Sequence, residues 1–214
     1  MIKISDAIRR IIEKNPILKF GVSYGLFNLT QLAKFIIPQV EARTKKEVRP
    51  AAITMSLSRI QREMKKTSPK PDDIRLEHIT VHSNLCTLTY FKSAQIHEQL
   101  NQLYDKIQKE KGYMTITESG NEITIIIKTE AHKAARKLIK EEPKNERKNI
   151  TAIGIQFPQK YNETPGLLSL IIQQLTLQYI NIVEIASTYT ELFIYVDQKD
   201  TRLAFDTLLR SFQD

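Results

Sequence analysis

One order of elements occurs twice in this chain, and it narrows the possible folds more than any other feature. In residues 150–214, Ile153, Ile155 and Phe157 alternate as in a half-buried strand. Leu167, Leu168, Ile171, Ile172 and Leu175 then mark one face of a helix. Two more strands, Val183–Ile185 and Leu192–Val196, flank the turn-prone Ser187–Thr190, and a last helix after Asp200 carries Ala204, Phe205, Leu208 and Phe212. Residues 74–140 repeat the order. Leu85–Phe91 reads as a strand, and Ile96, Leu100, Leu103 and Ile107 stripe a helix. Met114–Thr117 and Glu122–Lys128 are strands about Ser119-Gly120-Asn121, and Ala131–Lys140 closes as a helix. With a shift of 69 positions, Ser119–Ile123 overlays Thr188–Leu192 and Ala135 overlays Ala204. Right-handed crossovers in both β-α-β-β-α units give small antiparallel sheets with two helices on one face, the ferredoxin-like arrangement. The run Ile74–His82 is either an added strand, hairpinned to Leu85–Phe91 across Ser83-Asn84, or a wing of the module before it; the strand reading is favoured.

The first third differs in both pattern and charge. Residues 1–70 carry 15 Lys+Arg against 5 Asp+Glu, whereas 71–214 carry 17 against 19, so the whole +8 excess sits at one end. Ile4, Ile8, Ile11 and Ile12 recur at helical spacing, and Asn15-Pro16 ends that helix. Asn28 caps a second helix bearing Leu29, Leu32, Ala33, Phe35 and Ile36, kinked at Pro38. A third opens near Pro50 and buries Ile53, Leu57, Ile60 and Met64. The short connection Arg43–Glu47 makes the last two a helix-turn-helix arrangement. Two stretches read as boundaries: Thr67–Asp73 with two prolines, and the charged Glu141–Asn149. The expected architecture is therefore α+β, with a three-helix module over 1–70 and ferredoxin-like units over 74–140 and 150–214.

Composition excludes several classes. At 41% hydrophobic and 26% charged residues the chain can bury a core. A single cysteine, Cys86, permits no internal disulfide and suits a reducing cytoplasm. The start shows no signal-peptide pattern, and no apolar run approaches a membrane span, so a cytoplasmic protein without a membrane partner is expected. No phosphate loop, His-Glu-x-x-His or Gly-x-Ser-x-Gly is present, which points away from an enzyme. His78, His82 and Cys86 straddle a probable turn, so neither a metal nor a cofactor is expected.

Two surfaces carry chemistry. In the last unit, Pro158–Leu167 joins strand to helix, with Pro165-Gly166 at the helix start and Asn162 beside it. Free N–H groups and the positive end of the helix dipole suit a carboxylate there. In the first module, burying Ile53, Leu57, Ile60 and Met64 turns Ala51, Met55, Ser58, Arg62 and Lys66 outward, with Arg59 on the flank. Arg43, Lys45, Lys46 and Arg49 precede this helix and add phosphate contacts for duplex DNA.

Asn162-x-x-Pro165-Gly166-Leu167, then Ile180-Asn181-Ile182-Val183-Glu184-Ile185, then Thr190–Asp197 resembles an ACT domain, and most of all the tandem regulatory domains of aspartokinase. The resemblance covers 150–214 well and 85–140 more loosely. It implies binding of a small effector, usually an amino acid, between two copies of the domain. It also implies that Asn162, Thr164, Pro165, Gly166, Leu167, Asn181, Ile182 and Val183 contact the effector, with Thr188 and Glu191 nearby. The first repeat departs from the pattern: Lys92–Gln95 lacks Pro-Gly, and Gly112 stands where Asn181 does, so it is expected to be a structural partner. Phe193 and Tyr195 point away from Leu192, Ile194 and Val196 and suit a sheet-to-sheet interface, within the chain or in a homodimer. Asn28–Lys34 resembles the first helix of winged helix-turn-helix regulators. Together these features give an amino-acid-responsive transcriptional regulator. The alternative is a regulatory or scaffold subunit that binds an amino acid and modulates an enzyme without touching DNA.

Overall fold

The computed structural model describes residues 2–65 and 74–212. The chain divides into two compact units, Met1–Ser68 and Pro69–Asp214. The Thr67–Asp73 linker and Lys66 lie outside the described residues. Among those described, no helix is long and apolar enough to cross a membrane.

Among its described residues the first unit has four helices rather than three: α1 (Ile4–Lys14), α2 (Pro16–Tyr24), α3 (Leu29–Thr44) and α4 (Pro50–Lys65). The additional helix, α2, begins where the sequence suggests only a stop. Asn15 ends α1 and caps α2, its side-chain oxygen accepting from the Ile17 and Leu18 N–H groups at 3.1 Å, with Pro16 in the first turn. Asn28 caps α3 in the same way, accepting from Thr30 and Gln31. α3 passes through Pro38 as one helix. The expected stripe of α4, Ile53, Leu57, Ile60 and Met64, packs into one core with Ile8, Ile12, Ile36 and Val40. Phe35 turns out to solvent instead, 65% exposed.

The second unit is one six-stranded sheet in the order β2-β3-β1-β4-β6-β5. Its elements are β1 (His78–Phe91), α5 (Ala94–Lys109), β2 (Met114–Glu118), β3 (Glu122–Lys128), α6 (His132–Leu138), β4 (Asn145–Gln156), α7 (Leu167–Leu177), β5 (Ile182–Ser187), β6 (Glu191–Asp197) and α8 (Thr201–Phe212). Both repeats are present, but they share strands. The first half of β1, His78–His82, pairs with Gln156–Ala152 of β4, and its second half, Leu85–Phe91, pairs with β3. Ser83-Asn84 is therefore not the tip of a hairpin: it is an irregularity inside one long strand, with Asn84 at φ 58°. Asn149 in β4 has the same φ. Ile74–His82 accordingly forms no wing; its last five residues belong to the sheet. Asn145–Asn149, within the charged stretch read as a boundary, opens β4, and Asn145–Arg147 pair with Thr89–Thr87.

On one face of the sheet, α5 and α6 bury Ile96, Leu100, Leu103 and Ala135 against Cys86, Leu88, Ile123, Ile125 and Ile127. In the second repeat α7 buries Leu167, Leu170, Ile171 and Leu175. Leu168 is exposed, and Leu170 takes the inward position expected of it. The alternate residues form a second core on the other face: Leu85, Ile126, Ile150, Ala152 and Tyr195, with Tyr113 and Phe193 against them. The Tyr113 and Tyr195 hydroxyls meet at 2.8 Å, and Tyr195 also donates to Thr115 Oγ1 at 3.0 Å. Tyr113 precedes edge strand β2, while β6 lies four places along the order, so the sheet must curl to bring them together. Phe193 and Tyr195 thus close a contact inside the chain.

His78, His82 and Cys86 do not converge. The His82 ring lies 4.8 Å from that of Tyr113, on the face opposite the buried Cys86. Burial, followed by the nearby Lys128, lowers the His82 pKa. Burial pushes the Cys86 thiol up from 9.0 to about 11. The folded thiol keeps its proton in a range where the unfolded thiol loses it, so stability should fall as pH rises from 9 to 11, by about 2–3 kcal/mol. Urea unfolding of wild type and Cys86→Ala at pH 8 and pH 11 checks this: the variant should lose the smaller share of its stability.

Candidate functional site

The loop after β4 is a succession of tight turns that sets the start of α7. Phe157 is buried, and its N–H donates to the Thr190 carbonyl at 3.1 Å. A 3₁₀ turn over Gln159–Tyr161 follows, continued by Asn162 N–H to Gln159 O at 3.0 Å and Thr164 N–H to Tyr161 O at 2.9 Å. Gly166 then adopts φ 94°, a left-handed conformation that glycine takes without steric cost, and Leu167 anchors the helix inward. Gly166 has no side chain to cap α7, and no acidic residue lies in the first turn. The Leu167 N–H reaches Thr164 O at 3.4 Å and the Leu170 N–H reaches Gly166 O at 2.9 Å. Those of Leu168 and Ser169, between them, have no acceptor among the described residues.

These groups open on a cleft of about 590 Å³, lined on one side by Asn162, Thr164, Gly166, Leu168 and Ser169. Ser187, Thr188 and Tyr189, at the end of β5 and in the turn to β6, form the other side. Phe157, Tyr161 and Leu167 complete the apolar lining. The Gln159 amide donates to the Tyr189 hydroxyl at 3.0 Å, tying the two sides together. The Asn162 Nδ2 is buried without a hydrogen-bond partner among the described residues. An amide donor and free helix N–H groups favour an anionic group, and the apolar lining favours a hydrocarbon part; a small carboxylate with a side chain meets both.

The cleft gathers only part of the expected set. Asn162, Thr164, Gly166 and Leu167 line it, as does Thr188, and Pro165 sits exposed beside it. Asn181, Ile182 and Val183 are elsewhere in the chain. α7 carries the backbone about 16 Å from the cleft, and β5 returns it about as far, so the start of β5 lies at the far end from Ser187. Val183 packs near Tyr195. The cleft also takes in Tyr161 of the Pro158–Leu167 loop, and Phe157, Ser169, Ser187 and Tyr189, which the sequence reading did not single out; of these Ser169 had a signal in its place in the first turn of α7. In the first repeat Ser93 caps α5 and accepts from the Ile96 N–H at 3.1 Å, filling with a side chain the place that Gly166 leaves open.

The second candidate surface is on the helical unit. Arg43, Lys45, Lys46, Arg49, Arg59 and Arg62 are exposed and Ser58 is half-buried. None of these cations has a carboxylate partner among the described residues, and two of the nearby acids are engaged elsewhere. Glu41 accepts from the Val48 N–H at 3.0 Å, and Glu63 pairs with Arg9.

The sequence matches no family model and no curated protein. Solved structures do match. Aspartate kinase from Clostridium acetobutylicum aligns at TM-score 0.54 and 13% identity, over 69% of this chain and 36% of the kinase chain. A structure of aspartokinase alpha and beta subunits aligns at 0.53 and 14%, over 65% of this chain and 99% of that one. The regulatory subunit of aspartate kinase from Thermus thermophilus aligns at 0.52 and 10%, over 64% and 98%. The chain thus shares the fold of an aspartate kinase regulatory subunit over about as much of its length as the sheet unit occupies.

Proposed function

We propose that this protein is an amino-acid sensor whose ligand state sets the DNA affinity of its helical unit, and that it works as a homodimer joined through the sheets. The observation that carries the sensor half is the cleft lined by Asn162 and by Leu168 and Ser169, whose N–H groups have no acceptor among the described residues. The ligand carboxylate would sit at the start of α7 and its side chain among Phe157, Leu168 and Tyr189. The kinship in fold with a kinase regulatory subunit supports a regulatory, non-catalytic role. The DNA half rests on the charge division and on cations around α3 and α4 that have no carboxylate partner among the described residues. A second reading is favoured by the same kinship: the helical unit docks an enzyme, and the amino acid modulates that enzyme.

Thermal unfolding of the full chain with each common amino acid tests the sensor. At 100 times its Kd, a ligand adds about 2.7 kcal/mol. At this chain length that raises the midpoint by about 5–10 °C. Asn162→Ala should weaken binding about tenfold, the loss of one hydrogen bond to a charged group. If no amino acid moves the midpoint, the sensor reading falls. Titrating the active amino acid into protein bound to duplex DNA at fixed salt should change affinity between about 5- and 150-fold. An unchanged affinity removes the coupling and favours the enzyme-docking reading.

A further inference from the structure

The charges along α4 are arranged with a gap. No residue from Pro50 to Ser58 is charged, while cations cluster on both sides, at Arg43–Arg49 before the gap and at Arg59, Arg62 and Lys65 after it. Nine helical residues span about 13 Å, close to the roughly 12 Å width of the DNA major groove. A helix laid there puts its cations on the phosphates of the two flanking strands and its uncharged middle on the base edges.

What that middle offers is unusual for base reading. The Thr54 hydroxyl donates to Pro50 O and the Ser56 hydroxyl to Ala52 O, both at 3.0 Å, so each is turned back on its own helix. Ser58 is half-buried. The groups presented outward are the methyls of Ala51 and Ala52 and the side chain of Met55, which is 63% exposed. Among the base edges of the major groove, only thymine offers a methyl group for such a surface to cover. The small alanines also let the helix backbone approach closely.

We infer that α4 enters the major groove with Ala51, Ala52 and Met55 against thymine methyl groups, so that this protein reads thymine by apolar contact. The inference rests on the DNA reading above. The test uses the full chain and a duplex enriched by it from a random pool. Each thymine is replaced singly by deoxyuridine, which removes only the methyl, and binding is followed by fluorescence anisotropy at fixed salt. At the positions under α4, wild type should lose about fourfold per methyl contact. Met55→Ala should bind the thymine and uracil duplexes alike at one of those positions. Met55→Gln, which keeps the length of the side chain, should behave the same way and guards against a fold defect in the alanine variant. Equal affinity for thymine and uracil at every position overturns the inference, as does an undiminished uracil penalty in both variants. Salt-dependent binding with no enriched sequence overturns it while leaving the DNA reading intact. The absence of any duplex binding takes down both.

Discussion

Changing Arg43, Lys45, Lys46 and Arg49 together to alanine is expected to lower affinity for duplex DNA by about three to four orders of magnitude at 0.1 M monovalent salt. Each lysine or arginine on a phosphate releases close to one counterion, and at 0.1 M each release is worth nearly a decade. The slope of log K against log salt should flatten by about four in the same variant. The fold should survive, since all four side chains are exposed and none has a carboxylate partner among the described residues. The structural role here belongs to Glu41 and Val48, whose hydrogen bond holds the connection between α3 and α4. Fluorescence anisotropy across a salt series, with far-UV circular dichroism on the same samples, makes the check. An unchanged slope would move these cations off the phosphates and favour docking to an enzyme.

Tyr195→Ala should destabilise the sheet unit by about 3–5 kcal/mol, the range for removing a buried aromatic ring. Tyr195 is fully buried, and burial keeps its phenol protonated well above the ordinary range. Its removal leaves a cavity under β1 and β4 and strips the Tyr113 hydroxyl of one of its two partners, the one at 2.8 Å, leaving Thr115 Oγ1 at 3.3 Å. Tyr195→Phe keeps the ring, loses the hydroxyl contacts and should cost about 1 kcal/mol. Because β1 and β4 each pair with strands of both repeats, the repeats should unfold together, and urea denaturation should show one transition for this unit in wild type and Tyr195→Phe. A loss below 1 kcal/mol for Tyr195→Ala, or a first repeat that persists after the second has melted, would contradict the shared-strand account.

The local elements of this chain are legible without coordinates. Ile53, Leu57, Ile60 and Met64 recur at one helical spacing, and all four are buried. Ile123, Ile125 and Ile127 alternate, and they face the helices. Asn28 precedes a helix and caps it. Asn15-Pro16 is harder, because a residue that ends one helix and caps the next looks from one side like a stop. Ser83-Asn84 is harder again. Asparagine accepts a left-handed backbone equally well at a hairpin tip and at an irregularity within a strand, so its type does not choose between them.

The candidate site divides along the same line. The amino-acid order of Pro165-Gly166 at a helix start is enough to leave N–H groups unpaired, and Asn162 lies near in sequence, so half of the cleft is a local matter. Its other half, Ser187, Thr188 and Tyr189, is brought there by the return of β5 along α7, and the same geometry carries Asn181 to the opposite end. By itself the sequence determined most of the helices and strands, the repeat and the basic helical unit, since each follows from side-chain period and charge over a few neighbouring residues; α2 and the unbroken course of β1 it did not. Only the tertiary structure decided that two long strands serve both repeats, that Tyr113 meets Tyr195, and which loop faces Gly166. Those are pairings between distant segments, chosen by the burial of whole faces, and no short stretch of chain contains them.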